Sequence, residues 1–225
     1  MVKAIIFDSG TLITLAMNSL LDIVRNLKKE FNGKFIITRE IEYEVVKHPM
    51  NILKYKLEAM MIKSLIDDKI IEFPDSVGIK DSEINSKTQS ILKYVNGLFQ
   101  ADGRNINLIH GGEASSLALS IIMNQKNIKN MIAIDERTTR LLIEKPDNLR
   151  SLLEEKLNTR IKMNPISDEL KKITFMRSSE LVYIAYKKGL TKPKTKDMLD
   201  AMLYGTKFKG CAISNEEIKE LEKLG

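Results

Sequence analysis

Four acidic residues stand where a solvated surface charge does not explain them: Asp8, Glu44, Glu113 and Asp135. If the fold brings them together, four carboxylates in one pocket repel one another and cannot all stay ionised unless cations neutralise them. Oxygen ligands, without clustered cysteine or histidine, select hard ions, so the expected ion is Mg²⁺ or Mn²⁺. Such an ion activates a water and stabilises a leaving oxygen, which is the chemistry of phosphodiester hydrolysis.

The two aspartates each follow a continuous apolar run. Asp8 ends the run 4–7, and Asp135 ends the run 131–134 and leads into a predicted helix. A run of this kind predicts a strand buried on both faces and therefore a parallel sheet. Ligands bind outside the carboxyl ends of such strands, where both aspartates lie. For Asp8 the alternative is a cap of the Gly-Thr turn that follows it.

The two glutamates are predicted on the inward faces of helices. Glu44 lies beside Ile41 and Val45 on the apolar stripe of its helix. Glu113 follows two glycines and begins a stripe that continues at Leu117. Burying a carboxylate alone is costly, so an inward carboxylate favours a functional role. For Glu113 the alternative is an acidic residue that stabilises a helix N-terminus.

Periodicity along the rest of the chain predicts an α/β protein. Further strands are expected at 35–37, 69–73 and 160–164, and a loop is expected at 100–112. Helical spacing is found at 19–31, 38–48, 53–66, 82–98, 113–124, 148–157, 167–188, 195–204 and 216–224. This order predicts a three-layer α/β/α sandwich with a mainly parallel central sheet.

The composition describes an ordinary soluble protein of 225 residues, 43% apolar and 29% charged. The net charge of +6 favours a polyanionic partner such as nucleic acid. The single cysteine, Cys211, excludes an intramolecular disulfide, and His48 and His110 are too few for a histidine zinc site. Without a signal peptide or an apolar run of about 18 residues, a cytoplasmic protein with no membrane partner is expected.

Basic residues supply candidates for nucleic-acid contacts. Arg137 and Arg140 follow the second aspartate, and Lys192, Lys194 and Lys196 belong to a lysine-rich stretch near the C-terminus. A patch that contacts phosphates is one interpretation of that stretch. A solvated surface is the other.

Four short motifs, in this order, resemble the PIN-domain ribonucleases: Asp8 with Thr11 and Leu12, Thr38 to Val45, Gly112-Glu113-Ala114, and Ile134-Asp135-Glu136-Arg137. The resemblance implies metal-dependent hydrolysis of single-stranded RNA on a central parallel sheet. It places the ion, Mg²⁺ or Mn²⁺, at Asp8, Glu44, Glu113 and Asp135, with Thr11 near the hydroxyl position beside the first aspartate.

The resemblance covers roughly residues 1–160, and two regions depart from the compact family form. Residues 50–110 are predicted as a helical insertion, and residues 161–225 as a C-terminal helical extension. The expected organisation is therefore a nuclease domain over 1–160 followed by the extension. Single-stranded or structured RNA is the expected partner, and a homodimer and an antitoxin partner are left open.

Two other functions compete with this prediction. The string Phe7-Asp-Ser-Gly-Thr-Leu12 is similar to the start of a haloacid-dehalogenase-type phosphatase. That chemistry needs a second acid two residues after the nucleophilic Asp8, and position 10 is glycine. The remaining alternative is a non-catalytic RNA-binding or assembly factor that keeps a PIN-like scaffold.

Overall fold

The two apolar runs form neighbouring strands at the centre of a parallel sheet. The computed structural model describes residues 3–224 of the chain. Across the four-stranded sheet the order is β2 (Lys34–Ile36), β1 (Ala4–Phe7), β5 (Asn130–Ala133) and β7 (Phe175–Met176). All three pairings are parallel, and Phe7 lies opposite Ala133. The predicted α/β class and the parallel sheet are confirmed.

Successive side chains of β1 point to opposite faces of the sheet, and because all of them are apolar, both faces are covered by other elements. Ile5 and Phe7 belong to one buried cluster, and Ala4 and Ile6 belong to a second cluster on the opposite face. Helices close each cluster. The helices that contribute side chains to the first cluster form the first layer. They are α1 (Ser9–Met17), α2 (Leu21–Glu30), α3 (Arg39–Glu42), α4 (Lys56–Asp67), α10 (Ser178–Lys187), α11 (Lys196–Phe208) and α12 (Asn215–Leu224).

The second layer of helices packs on the other face. It consists of α5 (Asp81–Val95), α6 (Gly111–Gln125), α7 (Arg137–Glu144), α8 (Pro146–Leu157) and α9 (Asp168–Lys171). The predicted insertion over 50–110 is therefore divided between the layers, since α4 packs in the first and α5 packs against α6 in the second. Helices on both sides of one parallel sheet form three layers.

The hydrogen bonds of the chain correct the strand that was predicted at residues 69–73. Residues 69–73 do not form a strand of the sheet: they make one isolated bridge, between Glu72 and Ile36. Lys69 has a positive φ of 55°, and the Ile70 and Ile71 N–H groups both donate to the Leu65 carbonyl, so the segment folds back onto the preceding helix.

The predicted loop over 100–112 begins with a hairpin. Strands β3 (Phe99–Ala101) and β4 (Arg104–Asn105) pair antiparallel around Asp102 and Gly103, whose φ angles are 48° and 76°. Asp-Gly with two positive φ angles is a favoured hairpin turn, which the sequence prediction overlooked. The predicted edge strand at 160–164 is present as β6 (Ile161–Met163), but it pairs with β3 in this small second sheet.

The segment beyond residue 160 contributes to the central sheet as well as adding helices. Strand β7 pairs with β5, and it interrupts the stretch 167–188 that was predicted to be helical. From the following helices, Leu181, Val182 and Leu203 are buried in the same cluster as Phe7. The core therefore continues across the predicted domain boundary. Within residues 3–224, every helix is too short or too polar to cross a membrane.

We expect a chain that ends at residue 160 to lose cooperative thermal unfolding, followed by circular dichroism. The truncation uncovers the edge of β5 and removes buried side chains that each contribute about 1.5–3 kcal/mol. A chain that ends at residue 214 is the control, because it lacks α12 alone, whose one fully buried side chain in the described chain is Ile218. A cooperative transition at the temperature of the full chain in the 1–160 fragment would contradict this expectation.

Candidate carboxylate site

Asp8 ends β1 and begins the helix that follows at once. Its Oδ2 accepts a hydrogen bond of 3.1 Å from the Gly10 N–H, so the capping role is real. The side chain is buried, with 2% of the residue exposed. Its Oδ1 has no hydrogen-bond partner within residues 3–224. A buried polar atom left in this way costs about 1–3 kcal/mol, so capping accounts for one carboxylate oxygen and leaves the other unexplained.

Glu44 is aimed by an unusual backbone. The helix that begins after Thr38 widens into a π-helical turn, Tyr43–Lys47, which carries Glu44. The Glu44 Oε1 accepts a 3.1 Å hydrogen bond from the Gly112 N–H, in the first turn of α6. Single π-turns inside helices are often found at functional sites, and this one brings a half-buried carboxylate to a helix N-terminus.

The sequence analysis did not identify Gly112 as a residue of the site. A Cβ built on Gly112 would lie 2.7 Å from Glu44 Oε1, closer than real side chains allow. The neighbouring Gly111 has the same relation to Glu40, with its Cβ position 2.8 Å from Glu40 Oε1. The available signal was the Gly-Gly pair directly before Glu113. A larger residue at either position would force the facing glutamate side chain to move, so the observed placement of these carboxylates depends on the two glycines.

Glu113 lies in the first turn of α6 and accepts a 3.0 Å hydrogen bond from the His110 N–H. Glu113 therefore does stabilise the N-terminus of α6, as the alternative interpretation of this residue predicted. Its charge nevertheless acts on the site, because it raises the pKa values of both Asp8 and Glu44. Asp8, Glu44 and Glu113 thus form one electrostatically coupled group, which we call the carboxylate site.

The pKa of Asp8 is raised from 3.8 to about 8, first by burial and then by the charge of Glu113. Glu44 adds to the increase, and the Gly10 N–H opposes it. Burial likewise raises the pKa of Glu44, partly offset by the Ser9 side chain. Without a cation, Asp8 holds its proton near neutral pH, because the carboxyl group is buried and two further carboxylates stand close by.

Asp135 makes its contacts with the C-terminal part of the first layer. Since Phe7 lies opposite Ala133, Asp8 matches Ile134, and Asp135 lies one residue further along the sheet edge. Its Oδ1 accepts a 2.8 Å hydrogen bond from the Ser178 N–H, and its carbonyl accepts one of 3.1 Å from the Ala212 N–H. The Oδ2 is buried without a partner in the described chain. Asp135 thus anchors the C-terminal segment and retains one free oxygen.

The oxygens do not form a ready-made ion cage. Among residues 3–224, no group of three acidic, histidine or cysteine side chains is arranged to hold a metal ion. The donor chemistry fits a hard cation, because a buried, unpartnered carboxylate oxygen and two further carboxylates gather at the sheet edge. An ion at this place therefore requires side-chain rotations, such as Glu113 leaving the His110 N–H.

The residues predicted to contact nucleic acid do not lie together in the structure. Thr11 is fully buried, and its hydroxyl has no partner in the described chain, so a polymer cannot reach it as placed. The three predicted lysines, which precede or begin α11, are exposed. No contact described in residues 3–224 joins them to the carboxylate site. Arg137 and Arg140 line a groove beside Asp135.

Comparison with protein-family models, with curated proteins and with solved structures finds no match for this chain. The residues of the carboxylate site and the fold that positions them therefore carry the functional argument.

We expect Gly112→Ala to lower the free energy of unfolding by about 0.5–1.5 kcal/mol, because its Cβ forces the Glu44 carboxylate away from the Gly112 N–H and this hydrogen bond is lost. In an ordinary helix the same change is stabilising by up to about 1 kcal/mol. Gly10→Ala is the matched control, since its Cβ would meet Asp8 Oδ2 at an ordinary 3.5 Å. Urea denaturation measures both, and a Gly112→Ala protein as stable as wild type would refute the close approach.

We expect Asp8→Asn to raise the melting temperature in EDTA near pH 8. In the folded wild type Asp8 keeps its proton up to about pH 8, whereas in the unfolded chain it ionises near 3.8. Stability is therefore lost as the pH rises between these values, because unfolding releases a proton. Asparagine removes this penalty and still accepts from Gly10.

The difference in melting temperature between Asp8→Asn and wild type should shrink as the pH falls toward 4. Asp22→Asn serves as the control, since the Asp22 side chain is 88% exposed. An Asp8→Asn protein that melts below wild type at pH 8, or a difference that does not change with pH, contradicts the raised pKa.

Proposed function

We propose that this protein is a divalent-metal-dependent ribonuclease that hydrolyses phosphodiester bonds of single-stranded RNA at the carboxylate site. The observation that carries the proposal is Asp8: a buried strand-end carboxylate with one unpartnered oxygen, next to two other carboxylates. Such a group weakens the fold unless a cation neutralises it. A purely structural cap has no need of Glu44 and Glu113 beside it.

The donor set defines the expected ion. Asp8, Glu44 and Glu113 offer oxygen alone, which favours Mg²⁺ or Mn²⁺ over softer metals. The free Oδ2 of Asp135 is available as a further ligand from the neighbouring strand end. When bound, such an ion supplies an activated water and stabilises the oxygen that leaves the phosphorus.

The chain's own residues favour a phosphate at this place. Helices α1 and α6 both begin at the carboxylate site, where Asp8 caps one and Glu44 accepts from the first turn of the other. Helix N-termini attract anions, so a phosphate held near neutralised carboxylates gains from both helix dipoles.

The fold and the overall charge agree with this function. The site lies outside the carboxyl ends of a parallel sheet, the usual ligand position in such folds. The net charge of +6 attracts an anionic polymer. Together with the order of the four motifs, these features support assignment to a PIN-like nuclease, which remains our proposal.

A non-catalytic RNA-binding protein is the second candidate. The observation in its favour is that no group of three ligands within residues 3–224 stands ready to hold an ion. The phosphatase alternative has less support, because Asp8 Oδ2 is engaged by Gly10, at the position where that chemistry requires a second acid.

We expect wild type to cleave a fluorogenic single-stranded RNA in Mn²⁺ or Mg²⁺ and not in EDTA. Asp8→Asn and Asp135→Asn should each lower the rate by at least about 100-fold, because each removes a ligand charge while keeping its backbone hydrogen bond. Asp22→Asn, exposed and outside the site, should cleave as wild type does.

Three outcomes of this assay decide between the candidates. Metal-dependent cleavage that survives Asp8→Asn removes the carboxylate site as the catalytic centre. RNA binding without cleavage in any metal identifies the non-catalytic alternative. Hydrolysis of para-nitrophenyl phosphate without RNA cleavage would favour the phosphatase.

A further inference from the structure

A polar groove of about 450 Å³ lies beside Asp135. One wall is formed by α7 and the start of α8, and the other by residues 212–217. This volume lies in the range of sites that hold a small ligand or a nucleotide unit. The groove does not include Asp8, Glu44 or Glu113 among its lining residues.

The groove is fixed to the same sheet edge as the carboxylate site. Asp135 accepts a 3.1 Å hydrogen bond at its carbonyl from the Ala212 N–H, which attaches one wall to the end of β5. The other wall begins with Arg137, two residues further along the chain. The groove therefore adjoins the strand end that carries Asp135.

Two of the four cations in the groove serve the fold. Arg177 forms ion pairs with Glu180 at 3.0 Å and Glu217 at 2.9 Å, and it donates to the Ala212 carbonyl at 3.3 Å. Arg140 lies 3.7 Å from Glu144 and 3.5 Å from the same carbonyl. Arg177, which is 9% exposed, thus braces the wall formed by residues 212–217.

The other two cations have no structural partner. Arg137 and Lys145 both line the groove and are exposed. Neither side chain makes a hydrogen bond or an ion pair within residues 3–224. Glu144 and Glu217 are the two carboxylates of the groove, and each is already engaged by Arg140 or Arg177. The positive charges of Arg137 and Lys145 therefore face the groove without a carboxylate partner.

We propose that this groove is a subsite for a backbone phosphate of single-stranded RNA, beyond the bond held at the carboxylate site. Arg137 offers a planar fork that matches phosphate oxygens, and Lys145 adds a second charge. Asn148, on the same wall, provides an amide donor. The identity of the ligand rests on the proposed function, whereas the site itself rests on the two unpaired cations.

The test separates binding from cleavage. Anisotropy of a labelled single-stranded RNA of about ten nucleotides is measured in EDTA across a range of salt, with the full chain. Arg137→Ala and Lys145→Ala should each weaken binding about fivefold at 0.1 M salt. The slope of log affinity against log salt should also fall by about 0.7 for each lost contact.

Arg104→Ala and Lys162→Ala are the matched controls. Both residues are exposed, lie on β4 and β6 outside the groove, and form no ion pair within the described chain. They remove the same charge, so they should leave affinity within about twofold of wild type if the groove is a localised site.

Equal losses in all four variants mean that net charge alone governs binding, and this result overturns the groove. Failure of wild type to bind single-stranded RNA, or unchanged binding in Arg137→Ala and Lys145→Ala, does the same. If the groove variants lose affinity and wild type never cleaves, the groove stands and the nuclease proposal falls. If wild type cleaves RNA and the groove variants bind it normally, the nuclease proposal stands and the groove proposal falls.

Discussion

The repulsion among three carboxylates at one end of the sheet is the constraint on which the functional account depends. Asp8 lies at a strand end, Glu44 in a π-helical turn and Glu113 at a helix N-terminus. These elements are far apart along the chain, so the fold alone brings the three carboxylates together. Burial, and then the charges of Glu113 and Glu44, raise the pKa of Asp8 to about 8, and one of its oxygens has no partner in the described residues. This penalty is the ground on which we propose a cation at the carboxylate site.

The end of the chain belongs to the same arrangement. Asp135 binds the Ser178 N–H and the Ala212 N–H, and Arg177 braces the neighbouring segment through Glu217. Residues far along the chain thus depend on a strand end of the central sheet, and they build one wall of the groove beside it. A separable helical extension would have no reason to be attached at this point.

The central sheet and most helices could be predicted because their signals are local. The run 4–7 is apolar throughout, as a buried parallel strand requires, and the amphipathic helices follow their periodicity. Strand β7, with two residues, is too short to show any period, and it is fixed only by its pairing with β5. The Asp102-Gly103 turn was a readable signal that the prediction overlooked.

The candidate site was predictable as a set of residues but not as a geometry. Strand ends identified Asp8 and Asp135, yet the contact of Asp135 with Ser178 depends on a segment 43 residues away. The π-turn that carries Glu44 gave no signal in the periodicity of the sequence, which predicted a regular helix over 38–48. The full burial of Thr11 could not be read from the sequence, because burial of a helical residue depends on how the helix packs in the folded chain.

The most direct test of the central claim is anomalous scattering from crystals grown with Mn²⁺ near pH 8. The account predicts a manganese peak with the free Oδ1 of Asp8 among its ligands and an oxygen of Glu44 or Glu113 beside it, at about 2.0–2.3 Å. Crystals that show no peak at this sheet edge, or a peak whose ligands exclude Asp8, would contradict it.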